Sequence, residues 1–151
     1  MARFVYRMQS VLNIKQQTEN QTKMEFAVAQ AEYNKQLDIL DEYIARKEYY
    51  LKEAEQLRNE ESLKLQDILD NQYATAQMDV MIKQQSKVVE QFEARLERVR
   101  VKLTRNIQER KMQEILRDRA FAEFLEEQKQ EEYKENDQRT SFTYGQKQKE
   151  L

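Results

Sequence analysis

Histidine, cysteine and proline are absent from the 151 residues, and the single glycine is Gly145, close to the end. Each absence excludes something. Without proline or internal glycine, nothing punctuates a helix until Gly145. Without histidine or cysteine there is no imidazole base, no thiolate nucleophile and no zinc-type ligand set. Without glycines ahead of a helix there is no loop to cradle a phosphate. No window approaches the roughly 20 apolar residues of a membrane span. The opening Met-Ala-Arg-Phe-Val-Tyr-Arg lacks the apolar core of a secretory signal. Neither charge sign dominates: the formal net charge is −2, so no global field draws the chain to nucleic acid.

What remains is helix-forming. Glu, Gln, Lys, Arg, Leu, Ala and Met dominate, and charged residues make up 36% of the chain. Such a composition predicts long helices, and long helices of this kind pair as coiled coils. The 28 carboxylates read as solvated helix faces, because catalytic carboxylate pairs need a concave, desolvated pocket that a two-helix assembly does not provide. The expectation is a non-enzyme with no cofactor and no metal. The cytoplasm is the default compartment, and the missing cysteine fits a reducing one.

Apolar residues recur at alternating steps of four and three in two blocks. The first runs through Tyr33, Leu37, Leu40, Ile44, Lys47, Leu51 and Ala54, and extends back to Phe26, Leu12 and Val5 through polar Gln30, Lys23 and Gln16. The second runs through Met78, Ile82, Gln85, Val89, Phe92, Leu96, Val99 and Leu103. Both are coiled-coil seams. Past Leu103 the spacing of Ile107, Leu116, Ala120 and Phe124 predicts a phase shift of the stutter kind. Between the blocks, Asp70 and Asn71 favour a turn, and Asn71 or Thr75 can cap the second helix. The predicted fold is therefore all-α: a long two-helix antiparallel coiled-coil hairpin over 1–137, with helix 1 about 3–65, the turn within 66–75 and helix 2 about 76–137. Residues 138–151 read as a disordered, flexible C-terminal tail.

Charge argues for the hairpin over a parallel dimer. Residues 95–119 hold nine Lys/Arg against four Asp/Glu, and 120–137 hold two against seven. If the chain reverses near 70, the basic block faces 21–45, with two Lys and five Asp/Glu, and the acidic block faces the cationic stretch 3–20. Opposite signs then meet, as partner choice in coiled coils requires. The alternating pairs Glu42–Arg46, Glu48–Lys52, Glu60–Lys64 and Asp79–Lys83 stand at the favourable i,i+4 spacing, each adding about 0.3 kcal/mol.

Two groups stand out from a purely structural pattern. Arg3, Phe4, Tyr6, Arg7 and Gln9 gather aromatics and cations in the first two turns, either to pack on Phe121 and Phe124 or to meet a partner. Tyr43, Tyr49, Tyr50, Met81 and Val88 lie beside the seam near the reversal, where they either widen it or form a docking face.

The opening Phe4-Val5-Tyr6-Arg7-Met8-Gln9-Ser10-Val11-Leu12-Asn13-Ile14-Lys15 resembles the N-terminal signature of the flagellar export protein FliJ family. Met81-Ile82 through Val88-Val89-Glu90-Gln91 is similar to the start of that family's second helix. Glu109 through Leu116, followed by Glu126, Gln128 and Glu131, is similar to its C-terminal pattern. The resemblance covers about residues 3–137. It implies a non-enzymatic stalk and general chaperone of the flagellar type III protein export apparatus, similar to the central stalk of rotary ATPases. Its partners would be the hexameric export ATPase, the cytoplasmic domain of the export-gate membrane protein and export substrate chaperones, with no nucleic acid and no small molecule. Carried onto this sequence, Arg3, Phe4, Arg7, Val11, Ile115, Arg119 and Phe121 would bind the ATPase. Tyr43, Met81, Gln85, Val88 and Phe92 would meet the gate. The protein would be monomeric alone and cytoplasmic, peripherally associated with the inner face of the cell membrane at the flagellar base. Alternatives are a generic coiled-coil scaffold or tether, which predicts a parallel dimer, the equivalent stalk of a virulence-type secretion system, and a nucleic-acid-binding rod using Arg95 to Arg119, which predicts steeply salt-dependent DNA affinity.

Overall fold

The computed structural model describes residues 2–150. Two helices account for nearly all of them: α1 (Gln9–Arg58) and α2 (Leu65–Glu150), packed antiparallel as an all-α hairpin. No described residue lies in a strand. Contacts divide the chain into a hairpin unit, Asn20–Arg105, and a terminal unit, Met1–Glu19 with Asn106–Leu151.

In the hairpin unit the reversal occupies 59–64, earlier than the 66–75 predicted from Asp70 and Asn71. The Asn59 amide donates to the Glu55 and Gln56 carbonyls as α1 ends, and the Ile68 amide donates to Lys64 as α2 begins. No described residue there needs a positive φ, so the turn requires no glycine. Asn71, read as a turn former, is instead buried in the seam. Its side-chain amide donates to the Tyr50 carbonyl at 2.9 Å.

The second predicted seam holds throughout: Met78 and Val89 are buried, and Ile82, Gln85, Phe92, Leu96, Val99 and Leu103 are half-buried. The first seam is half right. Tyr33, Leu37, Leu40, Lys47 and Ala54 are half-buried as expected, with Gln36 beside Leu37, but Tyr43 and Tyr50 take the places where Ile44 and Leu51 were expected. Ile44 is left 39% exposed and Leu51 50%. Two polar contacts account for this setting of α1. The Gln85 side-chain amide donates to both the carbonyl and the side-chain oxygen of Gln36, at 3.0 and 2.8 Å, while Asn71 holds the Tyr50 carbonyl. Together they turn the 36/43/50 edge toward α2, because a buried amide without a partner costs about 1–3 kcal/mol.

Cross-helix ion pairs bear out the charge argument for the basic block. Arg95 meets Glu32 at 2.9 Å and Lys102 meets Glu25 at 3.1 Å. Of the four expected surface pairs, Glu42–Arg46 forms, at 3.4 Å, whereas Asp79 is taken across the seam by Lys47 at 2.6 Å.

The terminal unit has a different interior. Seam positions on α2 run through Asn106, Arg110, Gln113, Arg117, Ala120 and Phe124, still at alternating four and three. No stutter occurs; the regular frame passes through polar residues, which hid it from an apolar count. Glu19 is only 4% exposed and pairs with Arg110, which also binds both oxygens of Glu114 at 2.9 Å. Hydrogen bonding to Glu114, then to Glu19, raises the Arg110 pKa, so its charge is fixed. Lys15 meets Glu109 at 2.9 Å. No buried side-chain polar atom among the described residues lacks a partner.

The N-terminus departs from expectation. Helix begins at Gln9, whose amide donates to the Tyr6 carbonyl, so residues 2–6 form an irregular strap rather than helical turns. Val5, expected in the seam, is 76% exposed. Because the reversal comes early, Phe4 already meets Phe121 and Phe124, and the acidic block beyond them has no α1 residue opposite. The pairing predicted for 120–137 against 3–20 is thus replaced by an overhang. From Lys129 to Lys149 every side chain is exposed, and α2 continues helical through Gly145 where a flexible tail was expected.

Candidate partner-binding surfaces

The strap supplies the most built feature of the terminal unit. Phe4 lies edge-on to Phe121, with centroids 5.1 Å apart, and tilted against Phe124 at 5.4 Å. Such aromatic pairs contribute about 0.5–1.5 kcal/mol each beyond burial. The Tyr6 hydroxyl donates to the Gln113 side-chain oxygen at 3.0 Å. Both aromatics of the N-terminal group therefore have internal contacts, Phe4 on the phenylalanines foreseen for it and Tyr6 on Gln113 instead.

Between the strap and α2 lies an open cleft of about 560 Å³, lined by Arg3, Phe4, Val5, Tyr6, Gln9, Arg117, Asp118 and Phe121. It brings together three of the predicted ATPase-binding positions or their neighbours: Arg3, Phe4 and Phe121 line it directly, while Arg119 stands exposed two residues before Phe121. Arg7 and Ile115 are exposed and Val11 is half-buried beside the fully buried Leu12. Sequence reading missed Val5, Arg117 and Asp118 as members of this surface. Arg117 was legible as a seam position only if the frame was carried past Leu103 through polar residues. Exposed apolar groups (Val5, Met8, Ile115, Phe121) among arginines are the mixture found at protein contacts.

In the hairpin unit, the predicted gate-binding residues divide. Met81 and Val88 are half-buried at one edge of the seam, the edge that also carries the Arg95–Glu32 and Lys102–Glu25 pairs. Tyr43, Gln85 and Phe92 are seam residues, and Gln85 is occupied by Gln36. Met81 and Val88 are thus the members with side chains at the edge. Tyr49, 64% exposed, points away from the seam and touches the Tyr50 ring.

No group of His, Cys, Asp or Glu among the described residues is arranged to hold a metal ion, and no helix is long and apolar enough to cross a membrane. The family model described as "Flagellar FliJ protein" matches residues 4–149. The chain belongs to the FliJ family. Membership makes it a component of the flagellar protein export apparatus, and the helical hairpin is the fold the resemblance implied. No curated protein and no solved structure gives a significant match to the chain.

Proposed function

We propose that this FliJ-family chain is the stalk and general chaperone of flagellar export, binding the hexameric export ATPase through its terminal unit and the export gate through its hairpin unit. Substrate chaperones are the third partner class. In this reading the protein catalyses nothing, is monomeric alone, and works in the cytoplasm against the inner face of the cell membrane at the flagellar base. The observation that carries it is the Phe4 strap. Phe4 is clamped by two rings while Val5, Arg3, Arg7 and Arg119 stand outward beside it. That arrangement supports a contact with a second protein, with Arg3, Phe4, Arg7, Val11, Ile115, Arg119 and Phe121 in it. Charged flanks favour fast association and exchange.

The gate would be met by the edge carrying Met81 and Val88, with Tyr43, Gln85 and Phe92 behind them setting its shape. The test is binding of the purified full chain to the export ATPase and, separately, to the cytoplasmic domain of the gate protein. Arg3→Ala with Arg7→Ala should weaken ATPase binding alone, and Met81→Glu with Val88→Glu should weaken gate binding alone. Loss of neither interaction in either variant contradicts the assignment.

A further inference from the structure

The helix α1 carries two overlapping apolar seams and uses one. Tyr33, Leu40, Lys47 and Ala54 belong to both; Gln36, Tyr43 and Tyr50 complete the seam that faces α2, and Leu37, Ile44 and Leu51 would complete the other. The bonds Gln85 to Gln36 and Asn71 to Tyr50 fix that choice. As a result three aliphatic side chains, spaced every seventh residue, line one edge of the hairpin unit, Leu37 half-buried and Ile44 and Leu51 exposed. Ile44 and Leu51 are 39% and 50% exposed. This edge is opposite the one bearing Met81, Val88 and the Glu25–Lys102 and Glu32–Arg95 pairs, as heptad geometry requires of positions that flank a seam on its two sides.

Charge says what would cover it. One row outward from the aliphatic stripe stand Asp41, Glu48 and Glu55, again every seventh residue, all exposed and none in an ion pair among the described residues. Lys52 stands one further row out. On the α2 side, Asp79 is already neutralised by Lys47. An aliphatic ladder bordered by unpaired carboxylates matches one kind of helix: amphipathic, with its apolar face flanked by Lys or Arg. Heptad spacing of both rows would let such a helix lie along α1 as a third strand of the coil, knobs against Leu37, Ile44 and Leu51.

We propose that the Leu37–Ile44–Leu51 edge is a docking site for a basic-flanked amphipathic helix of a partner protein, separate from the ATPase and gate surfaces.

The test uses a fluorescein-labelled helical peptide of leucine and lysine, about 18 residues or five turns long, its leucines on one face, and a counterpart with glutamate for lysine. Titrated with the full chain at moderate salt, the leucine–lysine peptide should bind saturably with a Kd on the order of 10 µM, and the glutamate version should not. Ile44→Gln with Leu51→Gln should weaken binding at least about tenfold, as should Glu48→Lys with Glu55→Lys, which tests the rim alone; tenfold is what loss of one or two buried methylenes or a charge pair gives. Met81→Gln with Val88→Gln should leave it unchanged. All these positions are partly exposed, and unchanged circular dichroism confirms folding. Equal binding of both peptides, or binding untouched by either edge variant, or none at about millimolar chain, overturns the proposal. Sedimentation showing a dimer that Ile44→Gln with Leu51→Gln dissolves would assign the edge to a second copy and overturn it as well.

Discussion

Gln85 holds Gln36 by two bonds from one amide nitrogen, 3.0 Å to the backbone carbonyl and 2.8 Å to the side-chain oxygen, across a seam otherwise lined by Tyr33, Leu40, Val89 and Ile82. A polar pair at a seam position fixes register at some cost in stability. It also explains which edge of α1 is turned inward.

Gln85→Leu should therefore destabilise the protein by about 1 kcal/mol, by stranding the Gln36 side chain. Gln36→Leu with Gln85→Leu should recover that loss or exceed it. Urea unfolding of the three proteins measures both. A single variant as stable as the double would mean the pair plays no part in the seam.

Arg110→Met removes the Arg110 guanidinium from the buried Glu19 carboxylate. The expected cost is about 1–3 kcal/mol, and Glu19→Leu with Arg110→Met should regain part of it. The same urea titration reads this, and wild-type stability in the single variant would place Glu19 in water.

Phe4→Ala should release the strap without unfolding the helix pair. Hydrogen exchange of the Gln9 and Leu12 amides should quicken, while the unfolding midpoint moves by the equivalent of about 1–2 kcal/mol at most, since the ring is only half-buried. Unchanged exchange at both amides would mean the strap is not held by Phe121 and Phe124.

Removing the overhang beyond Gln128 should lower total helicity yet leave the unfolding midpoint within about 0.5 kcal/mol of the full chain, because the side chains from Lys129 to Lys149 are exposed. A large loss of stability would require contacts that this fold does not make.

The hairpin was legible because it rests on what composition and apolar spacing report directly. Met78 to Leu103 face inward as their spacing demands. The errors share one cause. Asn71, Gln36, Asn106, Arg110 and Gln113 occupy seam positions, and a count of apolar residues treats each as a break. On such a count Asn71 reads as a turn, the stretch past Leu103 (Ile107, Leu116, Ala120, Phe124) reads as a phase shift, and Gln36 is passed over for Leu37. Those misreadings displaced the reversal and set the acidic block against the wrong segment. The strap surface was legible in part: Phe4 and its phenylalanine partners follow from antiparallel pairing, whereas the irregular backbone of residues 2–6 has no signature in residue spacing.

Engagement of the export ATPase by the terminal unit, as a stalk, is tested most directly by ATP hydrolysis by the purified flagellar export ATPase from the same source, with increasing amounts of this chain at moderate salt. Saturable stimulation near one chain per hexamer is expected, lost in Phe4→Ala with Arg7→Ala while helicity stays near wild type. Neither binding nor stimulation by the intact chain would contradict it.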